Sequence, residues 1–193
     1  MEEKVKIIGT KILSDKWGIL NEVQYKLKSS NGEWLDLKRE SYNTGNGAAV
    51  LLYNPQTNKV ILTKQFRLPT YLNGNPGGML TEVCAGLLDQ DPPEVCAIKE
   101  AEEETGYRIS NLVKVCEAYM SPGSATEIMH LFIAEFNENM KVSDGGGLDE
   151  EQEDIRVLKM DFSRAWEMVQ HGEIKDAKTI ILMQHLKLQE LLE

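Results

Sequence analysis

The sequence predicts an α/β fold in which a small antiparallel β unit precedes a larger domain of strands and helices. Three observations predict it. Residues 4–13 and 17–27 alternate apolar and polar side chains, the period-2 pattern of half-buried strands. The run from Glu127 to Phe136 is apolar and of strand length, which suits a place inside a sheet. Between Asp91 and Gly106, and again from Phe162 onward, apolar residues recur at helical spacing between stop signals.

In chain order, Val5, Ile7, Ile19, Val23, Tyr25 and Leu27 carry the apolar side of the first alternation. Asn31-Gly32 supplies a tight turn before a third strand, Trp34 to Glu40. Strands this few make a poor core alone, so the unit is expected to lean on the next domain or on a second subunit. Gly45-Asn46-Gly47 marks the expected boundary, giving domains 1–44 and 45–193. Ala48 to Tyr53 and Val60 to Phe66 read as strands joined by a turn at Asn54 to Asn58. Arg67 then stands at a strand end, either as an exposed charge or as a fork suited to phosphate.

Residues 68–79 read as a loop broken by Pro and Gly, followed by a strand from Leu80 to Ala85. Leu112 to Met120 is expected to be a strand ending in a turn at Tyr119 to Gly123, and the Glu127 to Phe136 strand is expected to be central. His130 within it reads as a core residue or as a base. The polar stretch 137–152 carries Gly145-Gly146-Gly147 and then a run of acids from Asp149 to Asp154. Such a loop is either solvated or a closing catalytic loop. Helices follow at Phe162 to His171, stopped by Gly172, and at Ala177 to Leu192, with Asp176 as a candidate N-cap.

The helix after Gly86 is the most informative element. Asp91 is expected to cap it, with Pro92 at the first position, Glu94 completing a capping box and Gly106 ending it. Val95, Ala97, Ile98 and Ala101 can face a core, while Glu100, Glu103 and Glu104 crowd one side at helical spacing. Like charges so placed repel by a few tenths of a kcal/mol per pair, roughly, unless a cation lies against them. The face is either simply solvated or built for a hard divalent ion, which takes carboxylate oxygens and keeps positions open for a phosphate.

The composition, 41% apolar and 27% charged over 193 residues, is that of a globular protein. A net charge of −10 argues against nucleic acid or an anionic membrane as a partner. Cys84, Cys96 and Cys116 show no metal-ligand spacing and read as reduced, buried thiols. No apolar run reaches membrane length and the acidic start is no signal peptide, so a cytoplasmic address is expected.

The frame Gly86 followed by Lys99-Glu100-x-x-Glu103-Glu104-x-Gly106-Tyr107 resembles the Nudix box, Gly-x5-Glu-x7-Arg-Glu-U-x-Glu-Glu-x-Gly-U, where U is apolar or aromatic. Two departures stand out. Lys99 replaces the box arginine, and the upstream stretch is one residue short, so the first box glutamate falls on Asp91 or Pro92. From about residue 45 to the end the chain resembles a Nudix hydrolase, with an extra N-terminal β unit as in the ADP-ribose pyrophosphatase branch. Further matches are Lys38-Arg39-Glu40, Lys64 to Arg67, Cys84 to Asp89, Tyr119 to Gly123, Gly145-Gly146-Gly147 and Gly172-Glu173-Ile174 with Asp176. They resemble the members of that branch that act on GDP-mannose.

This resemblance implies an α/β/α sandwich whose N-terminal β unit is exchanged across a homodimer. It implies a Mg²⁺-dependent pyrophosphatase, Mn²⁺ being the alternative ion, that hydrolyses the nucleotide sugar GDP-mannose to GMP and mannose 1-phosphate. The implied metal ligands are the Ala85 carbonyl, Glu100, Glu103, Glu104 and one acid of the loop, Glu151 or Glu153. Glu103, Glu104, Glu151 and Glu153 are the implied catalytic acids. Register from Asp154-Ile155 favours Glu153, and register from the triple glycine favours Glu151. Strand register is the firmer anchor, so Glu153 is preferred.

Implied substrate contacts are Trp17, Lys38, Arg39 and Glu40 across the dimer. Arg67, Ala85, Gly86, Leu87, Glu104, Glu127, Glu150, Glu151 and Asp176 complete the set. Trp17 is otherwise a core or interface aromatic, and Pro122 is a feature shared with the ADP-ribose enzymes. The rival readings are an ADP-ribose pyrophosphatase and an idle Nudix-fold module that binds a nucleotide sugar.

Overall fold

The computed structural model describes residues 3–148 and 153–193. The chain divides into two compact units, one formed by the chain up to Asn46 with Tyr119–Ile128, the other by Gly47–Ala118 with Met129–Glu193.

The first unit is a three-stranded sheet of β1 (Val5–Asp15), β2 (Ile19–Lys28) and β3 (Trp34–Asn43), in that order and antiparallel throughout. Gly32 takes φ +91° in the turn before β3, a left-handed conformation that glycine adopts without penalty. Register shifts between Ile7 and Gly9 and between Ile12 and Ser14 bend β1. Tyr119–Ile128 joins this unit through backbone bonds. Tyr42 N–H donates to the Ser124 carbonyl at 2.8 Å, and Thr126 N–H donates to the Tyr42 carbonyl at 3.0 Å.

The second unit holds a seven-stranded sheet. Its strands are β4 (Gly47–Asn54), β5 (Lys59–Phe66), β6 (Met79–Glu82), β7 (Cys84–Leu87), β8 (Val113–Tyr119), β9 (Ile128–Glu135) and β10 (Arg156–Asp161). The main path runs β10-β5-β4-β9-β8, with β6 on β5 and β7 on β4. The central strand is therefore β4, buried along its whole length, and the apolar β9 lies parallel to it, one place from the edge. Both faces of β4 are covered, which is why it is apolar without alternation.

Several expectations are corrected. The single strand expected from Leu80 to Ala85 is two strands, because the chain leaves β5 at Glu82 and joins β4 at Cys84. Val83, at the crossing, gives its N–H to the Thr179 hydroxyl at 2.8 Å in place of a strand partner. The expected loop at 68–79 contains a short helix, α1 (Leu68–Leu72), with a proline in its first turn. The strand β10 is not evident from the sequence, since its lysine, arginine and aspartate mask a short edge element.

The box helix is α2 (Pro93–Thr105). Its N-cap is Pro92, not Asp91, and no side chain caps it. Asp91 instead closes a turn, its N–H donating to the Leu88 carbonyl at 2.7 Å. Cys96, Ala97 and Ala101 face the core, whereas Val95 is exposed. Gly106 ends the helix at φ +79°. Cys84 and Cys96 are buried and Cys116 is half-buried. The C-terminal helices are α3 (Phe162–Gln170) and α4 (Ala177–Leu188), shorter than the expected run to Leu192. Asp176 caps α4, accepting the Thr179 N–H at 3.0 Å. No helix among the described residues is long and apolar enough to cross a membrane.

Candidate active site

Two neighbours on β4 and β5 bring the box together. β7 pairs with β4 through Ala49 and Ala85, and α2 packs over this pair by its small residues Ala97 and Ala101. Small side chains let the helix approach the sheet closely. Glu100 and Glu104 lie on the same stripe of the helix as these alanines and so stand over Ala85 and Gly86 of β7.

Glu104 is the deepest of them, with only 1% of its surface exposed. The Ala85 N–H donates to its Oε1 at 3.5 Å, while Oε2 is buried without a hydrogen-bond partner among the described residues. Burial pushes its carboxyl up to about 8, the nearby charges of Glu100 and Glu153 push the same way, and the Ala85 N–H and Arg67 oppose them. The Glu100 carboxylate lies directly over Gly86, so that a side chain at position 86 would collide with it. Glu103 is partly exposed and pairs with Lys99 at 3.8 Å, one helical turn back. Lysine at this box position thus holds an acid of its own helix.

The acidic loop reaches the same helix through its glycines. Gly146 N–H donates to the Glu104 carbonyl at 2.9 Å and Gly147 N–H to the Glu103 carbonyl at 3.2 Å, satisfying the helix C-terminus. Gly145, at φ +69°, presses against the Glu104 backbone, where any side chain would clash. Glu153 folds back, its Oε2 accepting the Leu148 N–H at 3.3 Å. Glu150 and Glu151 lie outside the described residues.

Arg67 is held, where the sequence left it as an exposed charge or a phosphate fork. Its Nε and one terminal nitrogen donate to Glu82 at 2.7 and 3.4 Å, and the side chain keeps 40% exposure. Desolvation lowers its pKa, but the Glu82 carboxylate outweighs this and the net shift is upward. Lys178 binds Glu82 at 2.6 Å and Asp176 at 2.8 Å. Glu82 and Lys178 belong to no motif of the sequence. An acid inside an otherwise apolar strand was the available signal, because a buried carboxylate requires a partner.

Leu87 is exposed at the end of β7. Trp17, Lys38, Arg39, Glu40 and Glu127 belong to the first unit. Trp17 is 75% exposed beside Tyr42, and Lys38 pairs with Glu22 at 2.9 Å. Arg39 donates to the Lys38 carbonyl at 2.7 Å, and Glu40 stands opposite Glu22 in the sheet. His130 places its Nδ1 3.3 Å from Glu117 and outside hydrogen-bonding geometry, so that this buried atom has no hydrogen-bond partner among the described residues.

The donor set fits a hard divalent cation. It consists of oxygens only, it includes a buried oxygen with no partner, and its carboxylates repel one another until a positive charge is present. Among the described residues the acids are not closed into a three-ligand cluster.

Residues 43–178 match the family model of the NUDIX domain. The chain belongs to the Nudix family. Nudix hydrolases generally need divalent metal ions, in keeping with the oxygen donors on α2. In front of this Nudix domain, residues 4–42 match a model described as the GDP-mannose pyrophosphatase NudK N-terminal domain. Proteins named GDP-mannose pyrophosphatase resemble the chain over its full length and theirs: one from Cronobacter sakazakii at 52% identity, one from Salmonella typhimurium at 50% and one from Escherichia coli O157:H7 at 48%. A crystal structure described as an ADP compounds hydrolase shares the Nudix fold, with a TM-score of 0.73 at 17% identity, covering 98% of each chain.

Proposed function

We propose that this Nudix chain hydrolyses the diphosphate bond of GDP-mannose, giving GMP and mannose 1-phosphate, with Mg²⁺ as the preferred ion and Mn²⁺ as a substitute. The observation that carries the reading is the 48–52% identity, over complete chains, to proteins of that name. The ADP-ribose reading has the shared Pro122 behind it and a likeness of fold.

The ion would be held by the Ala85 carbonyl, Glu100, Glu104 and Glu153, with Glu103 alongside. When bound, it supplies Lewis-acid polarisation of a phosphoryl oxygen and charge neutralisation. The chain's own residues do the rest. Arg67 pairs a phosphate oxygen with the part of its fork that Glu82 leaves open. Gly86 lets the substrate approach the β7 backbone beside Leu87. Glu153 takes the proton of the attacking water, a task suited to a carboxylate on a loop anchored at the helix end. Glu150 and Glu151 belong to the same acidic loop, and Asp176 and Glu127 orient the nucleotide sugar.

The domains are residues 1–44, for dimerisation and substrate contact, and 45–193, for catalysis. The chain works as a homodimer that exchanges its N-terminal β units, so that Trp17, Lys38, Arg39 and Glu40 serve the site of the other subunit. It works in the cytoplasm, on a free nucleotide sugar. The test is product analysis of purified protein with Mg²⁺ and equal GDP-mannose and ADP-ribose. GMP and mannose 1-phosphate should dominate; preferential loss of ADP-ribose overturns the substrate assignment.

A further inference from the structure

Behind the acids of α2 lies a second charged cluster. Glu82 is 2% exposed at the end of β6, and its carboxylate takes two cations, Arg67 at 2.7 Å and Lys178 at 2.6 Å. Lys178 also binds Asp176, whose other oxygen accepts the Thr179 hydroxyl at 2.6 Å and the Thr179 N–H at 3.0 Å. The Thr179 oxygen in turn receives the Val83 N–H at 2.8 Å, at the step between β6 and β7. The formal charges cancel, two positive against two negative, and every carboxylate oxygen has a donor. A chain of charge-assisted bonds therefore runs from the Arg67 fork to the cap of α4, passing the strand that delivers Ala85 and Gly86.

We propose that Glu82 and Lys178 are positioning residues for diphosphate recognition, fixing the orientation of Arg67 and Asp176; this rests on reading those two as substrate contacts. Arginine is the residue this arrangement needs. A planar fork can spend one edge on Glu82 and still present the other, which a lysine cannot do. A free arginine would lose side-chain entropy on gripping a phosphate, and one already held by a buried carboxylate loses less. Lys178 has a separate purpose. It supplies the second positive charge on Glu82, so that the cluster around Arg67 is neutral and not negative and does not repel an anion. Its bond to Asp176 also links the fork to α4, so that the groups move together.

The test is a double-mutant cycle read by GDP binding in calorimetry and by the kinetics of GDP-mannose hydrolysis. Glu82→Gln should weaken GDP binding and raise KM about tenfold, with a smaller change in kcat. In an Arg67→Ala background, Glu82→Gln should change GDP affinity by less than about twofold, because its effect passes through the missing fork. A purely structural role would subtract the same amount in both backgrounds, and that additivity would overturn the proposal. Wild-type GDP affinity in folded Glu82→Gln overturns it as well. If Arg67→Ala alone binds GDP normally, the reading of Arg67 as a substrate contact falls instead. Should Glu82→Gln not fold, Glu82→Gln/Lys178→Met keeps the cluster neutral. That variant should fold and show the same weakened binding; unchanged binding there also overturns the proposal.

Discussion

Glu104 concentrates the chemistry of the site in one side chain. In the folded, metal-free protein it keeps its proton up to about pH 8, whereas an unfolded chain releases it near the ordinary 4.5. The folded state therefore binds more protons between these values, and stability falls as pH rises from about 4.5 through about 8. The melting temperature of chelated protein should decline across that window, and Glu104→Gln should flatten the decline. A divalent cation replaces the proton, so adding Mg²⁺ near pH 7 should release close to one proton, roughly, measurable as a buffer-dependent heat. Glu104→Gln should also abolish turnover, by about a hundredfold or more, while the circular dichroism spectrum is kept. A variant with near-normal activity would remove the box helix from the mechanism.

Gly86 makes a complementary point. The carboxylate of Glu100 occupies the space a Cβ would take. Gly86→Ala should displace the Glu100 carboxylate, the flexible end of its side chain, with little change in melting temperature but a large loss of Mg²⁺ affinity in calorimetry. The box glycine was legible in the sequence as a motif position. Its physical reason, the Glu100 side chain further along the chain pressing on the backbone, became visible only once β7 and α2 were in contact.

Among the elements, the junction of α2 with the acidic loop decides whether Glu153 is in reach. The loop's glycines donate to the carbonyls of Glu103 and Glu104, and Gly145 packs against the same turn in a left-handed conformation. Gly145→Ala should clash there and add about 1–2 kcal/mol of backbone strain. Its kcat should fall further than its KM rises, because the loop base is displaced while Arg67 is not. Glu153→Gln should reproduce that kcat loss without the loss of stability; normal kcat in this variant would pass the role to another acid of the loop. Helix limits were partly legible. Gly106 stops α2 and Asp176 caps α4, each by local chemistry. The N-cap of α2 differs from the expectation, since an aspartate before two prolines suits a cap by composition, while the chain uses Asp91 to close a turn.

For the whole molecule, the first unit carries much of the exposed apolar surface, with Ile7 at 64%, Ile12 at 57% and Trp17 at 75% exposure. Patches of this kind mark surfaces that a partner covers. Sedimentation should therefore report a homodimer, and dilution below its dissociation constant should raise KM for GDP-mannose. A monomer with unchanged KM would remove the first unit from substrate binding.

The sequence by itself determined the family, the acid-bearing helix and its glycine stop, the hairpin unit in front, and the place of the acidic loop in the chain. Each of these depends on neighbours within a few turns of chain, where spacing and local conformation carry the information. Tertiary structure alone decided that β4 and not β9 is central, that Leu80 to Ala85 is divided between two strands, and that Arg67 and Asp176 share a buried network through Glu82 and Lys178. Those outcomes depend on which strand a backbone finds beside it and which charge a buried carboxylate meets, contacts between residues about a hundred positions apart in the case of Glu82 and Lys178.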